Sequence, residues 1–147
     1  GPDGERVVPA SDFFVLPREE VSRENILGPD EVLIEIELPP ARQNVESTYV
    51  KIMDREAWTH AVLSVAAVLE IDQGVCRMAR IVLGAVAPIP WHLPHVERML
   101  VGQRITTELA GNAGQVAVSQ AQPLAKNGYK VPLTEALVRR TLLSLAG

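Results

Sequence analysis

Residues 32–38 alternate along the chain: Val32, Ile34, Ile36 and Leu38 are apolar, while Glu35 and Glu37 are acidic. A period of two is that of a half-buried strand, and Pro39-Pro40 stops it, so a strand is predicted over residues 31–39. Leu33 departs from the alternation, an apolar side chain on the face of the glutamates. A second strand is predicted over residues 47–53, with Tyr49, Lys51 and Met53 on one face and Val50 and Ile52 on the other. A third spans residues 62–72 and leads through Asp72-Gln73-Gly74, a hairpin signal, into a fourth over residues 75–88. That last run is opened by Ala79-Arg80, interrupted by Gly84 and stopped by Pro88-Ile89-Pro90. Short connections without an intervening helix predict an antiparallel sheet.

Beyond residue 94 the period lengthens to that of a helix. Pro94 to Gln103 predicts a short helix with Val96, Met99 and Leu100 inward, Glu97 in its acidic start and Gly102 near its end. Thr106 opens a second helix with Glu108 in its first turn; Gly111 and Gly114 inside it suggest close packing. A third begins near Pro132, burying Leu133, Leu137, Val138, Leu142 and Leu145 and showing Arg139 and Arg140 to solvent. The predicted class is therefore α+β: an antiparallel sheet of about four strands with helices on one face. Residues 1–30 show weak periodicity, and Phe13 and Phe14 are expected to tuck this arm against the core.

Composition narrows the function. The 147 residues fit one domain, and 47% hydrophobic content can form an ordinary core. A net charge of −4 without a basic cluster speaks against nucleic-acid binding. No apolar run reaches bilayer length, so no membrane span is expected. Cys76 is the single cysteine, which excludes an intrachain disulfide and fits a reducing, cytoplasmic setting. The chain starts at Gly1 without a methionine, so processing or excision from a longer chain is expected.

Familiar catalytic templates are missing. His60, His92 and His95 do not combine with Cys76 or carboxylates at a metal-ligand spacing, and His92-x-x-His95 straddles Pro94, so no metal site is expected. There is no nucleophile elbow, P-loop or dinucleotide fingerprint, and Gly111-Asn112-Ala113-Gly114 lies inside a helical pattern. Glu35 and Glu37 read as a solvated strand face rather than a catalytic pair. Lys51 is open to two readings: a solvent-facing lysine over an aromatic stem, beside Tyr49, or a cation aimed at an anionic or electron-rich ligand laid against the sheet.

Several segments in fixed order resemble a known family. They are Asp12-Phe13-Phe14; Asp30-Glu31-Val32-Leu33 with Pro39; Tyr49-x-Lys51 with Arg55 and Ala57; and Arg80, Gly84, Val86, Ala87, Pro88 and Pro90, followed by Glu97, Leu100 and Gly102. The tail, Asn127-Gly128-Tyr129-Lys130 and Leu137-Val138-Arg139-Arg140, resembles a variant of the family ending in which Lys130 replaces an arginine. Together they resemble the C-terminal domain of the FAD-binding subunit of molybdenum hydroxylases, the xanthine dehydrogenase and carbon monoxide dehydrogenase enzymes.

The resemblance implies a domain that closes over a flavin held mainly by a preceding domain. Residues 1–25 would be the linker arm from that absent FAD-binding domain, and residues 26–147 the C-terminal domain. Two cofactor-binding residues carry over, Leu33 and Lys51, with no catalytic residue and no metal ligand. The implied cofactor is FAD, shared with the absent domain and bound weakly or not at all by this chain alone, because the Gly-rich pyrophosphate loops are missing. The implied partners are that FAD-binding domain and the molybdopterin-binding and 2Fe-2S subunits, with a homo-oligomer also compatible. The rival reading is a free-standing interaction or assembly module of the same fold without flavin.

Overall fold

The computed structural model describes residues 1–57 and 60–147. Three strands form where alternation puts them: β1 Val45–Ile52, β2 Leu63–Asp72 and β3 Val75–Gly84. They make an antiparallel meander in the order β1-β2-β3, joined at β3 by a two-residue β4, Trp91–His92. The β2–β3 turn has φ of 50° at Gln73 and 74° at Gly74, the two left-handed residues that match the twist of a tight hairpin. Strand β3 stops at Gly84 rather than at residue 88, because Ala85 takes φ of 62° and turns the chain out of the ladder.

The strand predicted over residues 31–39 does not form. The segment forms no ladder, with Val32 75%, Leu33 53%, Ile34 66%, Ile36 76% and Leu38 83% exposed. Alternation fixes an extended backbone with two unlike faces, but a strand also needs a neighbour, and β1 lies at the sheet edge without it. The fourth strand of the sheet is instead the short β4, too brief to leave a periodic trace.

The arm before β1 stays outside the core. Helix α1, Ala10–Phe13, packs on no other helix or strand. Phe13 and Phe14 do not tuck it inward as expected; their rings meet each other edge to face at 5.2 Å, and Phe14 remains 39% exposed. Local polar contacts hold the arm's shape instead. Phe14 bridges to Asn25, and Arg6 Nε and Nη2 each donate to the Glu31 carboxylate at 2.7 Å. The Arg6 guanidinium and the Gly28 amide hold the Glu31 carboxyl down to about 2.

Three helices cover one face of the sheet: α2 Pro94–Leu100, α3 Thr107–Val118 and α4 Lys130–Ala146. Thr106 caps α3 by accepting from the Leu109 amide at 3.1 Å. Helices α2 and α4 rest on the sheet, and α3 packs on both of them. Leu63, Val65, Ala67 and Leu69 of β2 and Ala79, Ile81 and Leu83 of β3 point into this core. They meet Val96 and Leu100 of α2, Ala110 and Ala113 of α3, and Leu137, Val138 and Leu142 of α4. Leu133 and Leu145 pack partly buried at its margin, and Arg139 and Arg140 are exposed, as the pattern of α4 predicts.

One buried group is unpaired. Thr141 is 1% exposed, and its Oγ1 finds no hydrogen-bond partner among the described residues. A buried hydroxyl without a partner costs about 1–3 kcal/mol, so the near-isosteric Thr141→Val should stabilise the fold by about 1 kcal/mol. A rise in the thermal midpoint checks this; an unchanged or lower midpoint would show that the hydroxyl is satisfied.

Candidate functional site

The sheet face turned away from the helices carries the candidate site. Antiparallel register sets Lys51 beside Ser64, and Ser64 beside Gly84; one step along, Tyr49 lies beside Ala66, and Ala66 beside Val82. Because side chains alternate across a strand, these six share the outer face, while Val50, Val65 and Leu83 point to the core. Tyr49 is 64% exposed and Lys51 is also exposed, whereas Ser64 is buried at 4%.

The loop from Ala85 to Pro90 roofs part of this face. Together they border an open hollow of about 400 Å³ lined by Tyr49, Ser64, Ala66, Val82, Leu83, Gly84 and the loop. The roof is fixed from behind, since Lys130 Nζ of α4 donates to the Ala85 carbonyl at 2.8 Å. Sequence reasoning marked Lys130 only as a replacement for arginine; the structure shows its ammonium serving as a strap on the loop. A second, open groove of about 770 Å³ lies behind the same loop, bordered by Trp91, His92, the ends of α3 and α4, and Arg18 of the arm.

The floor of the hollow is small side chains and backbone at Ser64, Ala66 and Gly84. It contains no glycine-rich run of amide donors of the kind that grips a pyrophosphate.

The other predicted residues disperse. Leu33 lies half exposed in the segment before β1, outside the sheet that carries Lys51. Glu35 and Glu37 are solvated there as well. His92 and His95 part ways: His92 Nε2 meets Glu97 Oε1 at 2.6 Å, and His95 Nδ1 meets Arg98 Nη2 at 2.7 Å. Among the described residues no group of three or more His, Cys, Asp or Glu is placed to hold a metal ion. Cys76 is buried, and burial pushes its thiol up, partly countered by the Met78 backbone.

Glu97 was read only as an acidic helix start, yet it is 5% exposed. Its Oε1 accepts from the Ile81 amide at 2.8 Å, and its Oε2 from Arg80 Nη1 at 3.3 Å. The signal was available: Leu93, Glu97 and Leu100 fall at i, i+4 and i+7, on the apolar stripe of α2.

A four-stranded antiparallel sheet with a helical layer on one face and the other face bare beside an open hollow defines a class of two-layer α+β module. The family is explicit: residues 48–145 match the CO dehydrogenase flavoprotein C-terminal domain, and the chain belongs to that family. It is 29% identical over 145 residues to the aldehyde oxidoreductase FAD-binding subunit PaoB of Escherichia coli, covering 98% of this chain and 41% of that one. It is 28% identical to the carbon monoxide dehydrogenase medium chain of Hydrogenophaga pseudoflava, covering 97% of this chain and 49% of that one. The solved carbon monoxide dehydrogenase of Hydrogenophaga pseudoflava superposes with a TM-score of 0.87 at 28% identity, over 99% of this chain and 50% of that one. The reconstituted CO dehydrogenase of Oligotropha carboxidovorans superposes at 0.85 and 25% identity, again over 99% and 50%. The chain thus spans about half or less of the length of the curated relatives it matches.

Proposed function

We propose that this chain is the flavin-facing C-terminal part of the FAD-binding subunit of a cytoplasmic molybdenum hydroxylase. Electrons would pass from a molybdopterin centre through iron–sulfur clusters on partner subunits to FAD, and then to an acceptor. The observation that carries the reading is the outer sheet face on a domain of this family, where Tyr49 lines an open hollow of about 400 Å³ and Lys51 is paired with Ser64 of its floor. FAD, when bound, supplies the redox chemistry. Ser64, Ala66 and Gly84 would let the ring edge approach the sheet, the Ala85–Pro90 loop would exclude water, and Lys51 would hold positive charge beside the ring. The pyrophosphate grip would come from the remainder of the subunit.

The test is a redox titration of the assembled enzyme. Lys51→Ala should lower the flavin reduction potential, because a cation favours electron density on the reduced ring. One charge several ångströms away at a partly wet site corresponds to about 1–2 kcal/mol. An unchanged potential in a flavin-loaded variant would remove Lys51 from the site. Absence of flavin from the assembled protein would favour the assembly-module reading.

A further inference from the structure

The groove behind the Ala85–Pro90 loop has no part in the flavin reading. Its volume of about 770 Å³ falls in the range of small-ligand sites, about 300–1,000 Å³. Among the described residues its walls carry the basic side chains Arg18, His92, His95 and Lys130 and no aspartate or glutamate. That imbalance runs against the chain as a whole, whose net charge is −4. Trp91 borders the same groove and is 40% exposed. We infer that this groove is a ligand site in its own right, taking a planar aromatic acid: a flat ring that bears a carboxylate or a phosphate.

Each part of that ligand has a counterpart on the walls. The ring matches Trp91, whose backbone is fixed by its pairing with Leu83 while its side chain stays open to the groove. An indole in that position offers a flat apolar face for stacking. The acid matches Lys130. Its ammonium has three N–H groups, and the Ala85 carbonyl takes one of them at 2.8 Å, which anchors the charge at the groove wall. Asn127 stands three residues away, and its Oδ1 accepts from the Leu124 amide at 2.6 Å, so the NH2 group is the end left to donate. His95 Nδ1 accepts from Arg98 Nη2 at 2.7 Å, because a guanidinium can only donate, so Nε2 of the neutral ring carries the proton and is a donor too. The neighbouring carboxylates do not cancel this charge. Glu97 is 5% exposed and is taken up by the Ile81 amide, Arg80 and His92. Glu19 meets Arg18 only as an exposed pair at 3.8 Å, a contact of little strength.

Isothermal titration tests this on the chain and on the assembled enzyme that contains it, with phenyl phosphate, benzoate, benzamide and inorganic phosphate as probes. At least one of the two aromatic acids should bind with a Kd of about 1 mM or tighter, and benzamide and inorganic phosphate at least about tenfold more weakly, because ring and charge are both needed. Phenyl phosphate against benzoate tells which acid group is preferred. Trp91→Ala and Lys130→Met should each weaken binding by at least about fivefold, while Lys130→Arg, which keeps the charge, stays within about twofold. Should Lys130→Met lose its fold, Arg18→Met carries the charge test, since the arm lies outside the core; it should raise the Kd at least about twofold. Arg139→Ala with Arg140→Ala, on the exposed side of α4, should leave binding unchanged and so separate the groove from net charge. The inference is overturned if neither acid binds, if inorganic phosphate binds as well as they do, or if the Trp91 and cation variants bind like the unaltered chain. Binding that Trp91→Ala removes from the chain but that is missing from the assembled enzyme also overturns it, since the groove would then be a face covered by the rest of the assembly. Flavin content bears on none of these outcomes, so the flavin reading stands or falls separately.

Discussion

Glu97→Ala should cost about 2–3 kcal/mol of folding stability. Helix α2 has no long strand to lie beside, because β4 pairs only Val82 and Leu83 of β3. Below that pair the Ile81 amide would be left open at the sheet edge, and the Glu97 carboxylate reaches from the helix to accept it at 2.8 Å. Removing the acceptor strands a buried donor, which costs about 1–3 kcal/mol, and deletes a charge-assisted bond stronger than a neutral one. The Arg80 and His92 partners are 63% and 49% exposed, so water takes over their share and the loss stays short of that for a fully buried ion pair. Glu97→Gln, which keeps one acceptor oxygen, should cost about half as much. Denaturant unfolding of the two variants checks this. If both match the unaltered chain, the edge is held by its backbone contacts alone, Leu93 to Ile81 and Gly102 to Cys76.

Gly114→Ala should destabilise the fold, and Gly111→Ala should stabilise it, although the two glycines lie three positions apart on one helix. A Cβ at Gly114 would stand 2.6 Å from the Glu135 carbonyl oxygen and 3.2 Å from its side chain. The nearest obstacle is backbone of α4, so the two helices must separate. Overpacking of that kind costs about 1–3 kcal/mol, more than the ~1 kcal/mol gained from replacing glycine in a helix. A Cβ at Gly111 would meet nothing within 4 Å, so only the propensity gain of about 0.5–1 kcal/mol remains. Thermal midpoints moving in opposite directions bear this out; a shift of the same sign would mean that α3 and α4 slide freely. Periodicity suggested close packing for both glycines, and only the position of the neighbouring helix separates them.

That contrast marks how far the sequence could be read. Alternation at Val50–Ile52, Leu63–Leu69 and Ala79–Leu83 predicted three strands, because one buried face imposes a period of two. The helical stripe at Leu137, Val138 and Leu142 predicted α4 for the same reason. What alternation could not convey is whether a partner exists, which is why residues 31–39 looked like a strand and proved an unpaired one. Lys51 reached the outer face of β1 as its parity with Tyr49 required. Leu33 did not join it, since parity has no meaning outside a sheet. The partners of Glu97 and Lys130 are backbone atoms, the Ile81 N–H and the Ala85 carbonyl, which leave no residue-type signature; only the place of Glu97 on the apolar stripe of α2 marked it as buried.

The uncovered segment also bears on synthesis. It precedes every strand and helix that builds the core, so it leaves the ribosome before them. At about 5–20 residues per second, several seconds pass before α4 follows it. During that interval an extended apolar strand is available to any other unpaired edge. Glu31, Glu35 and Glu37 are spaced through it, and Pro39-Pro40 closes it. Charges and prolines in those positions discourage stacking of like segments. The same glutamates that gave the segment its strand-like alternation therefore act as gatekeepers, keeping an exposed segment soluble while the core it precedes is still being made.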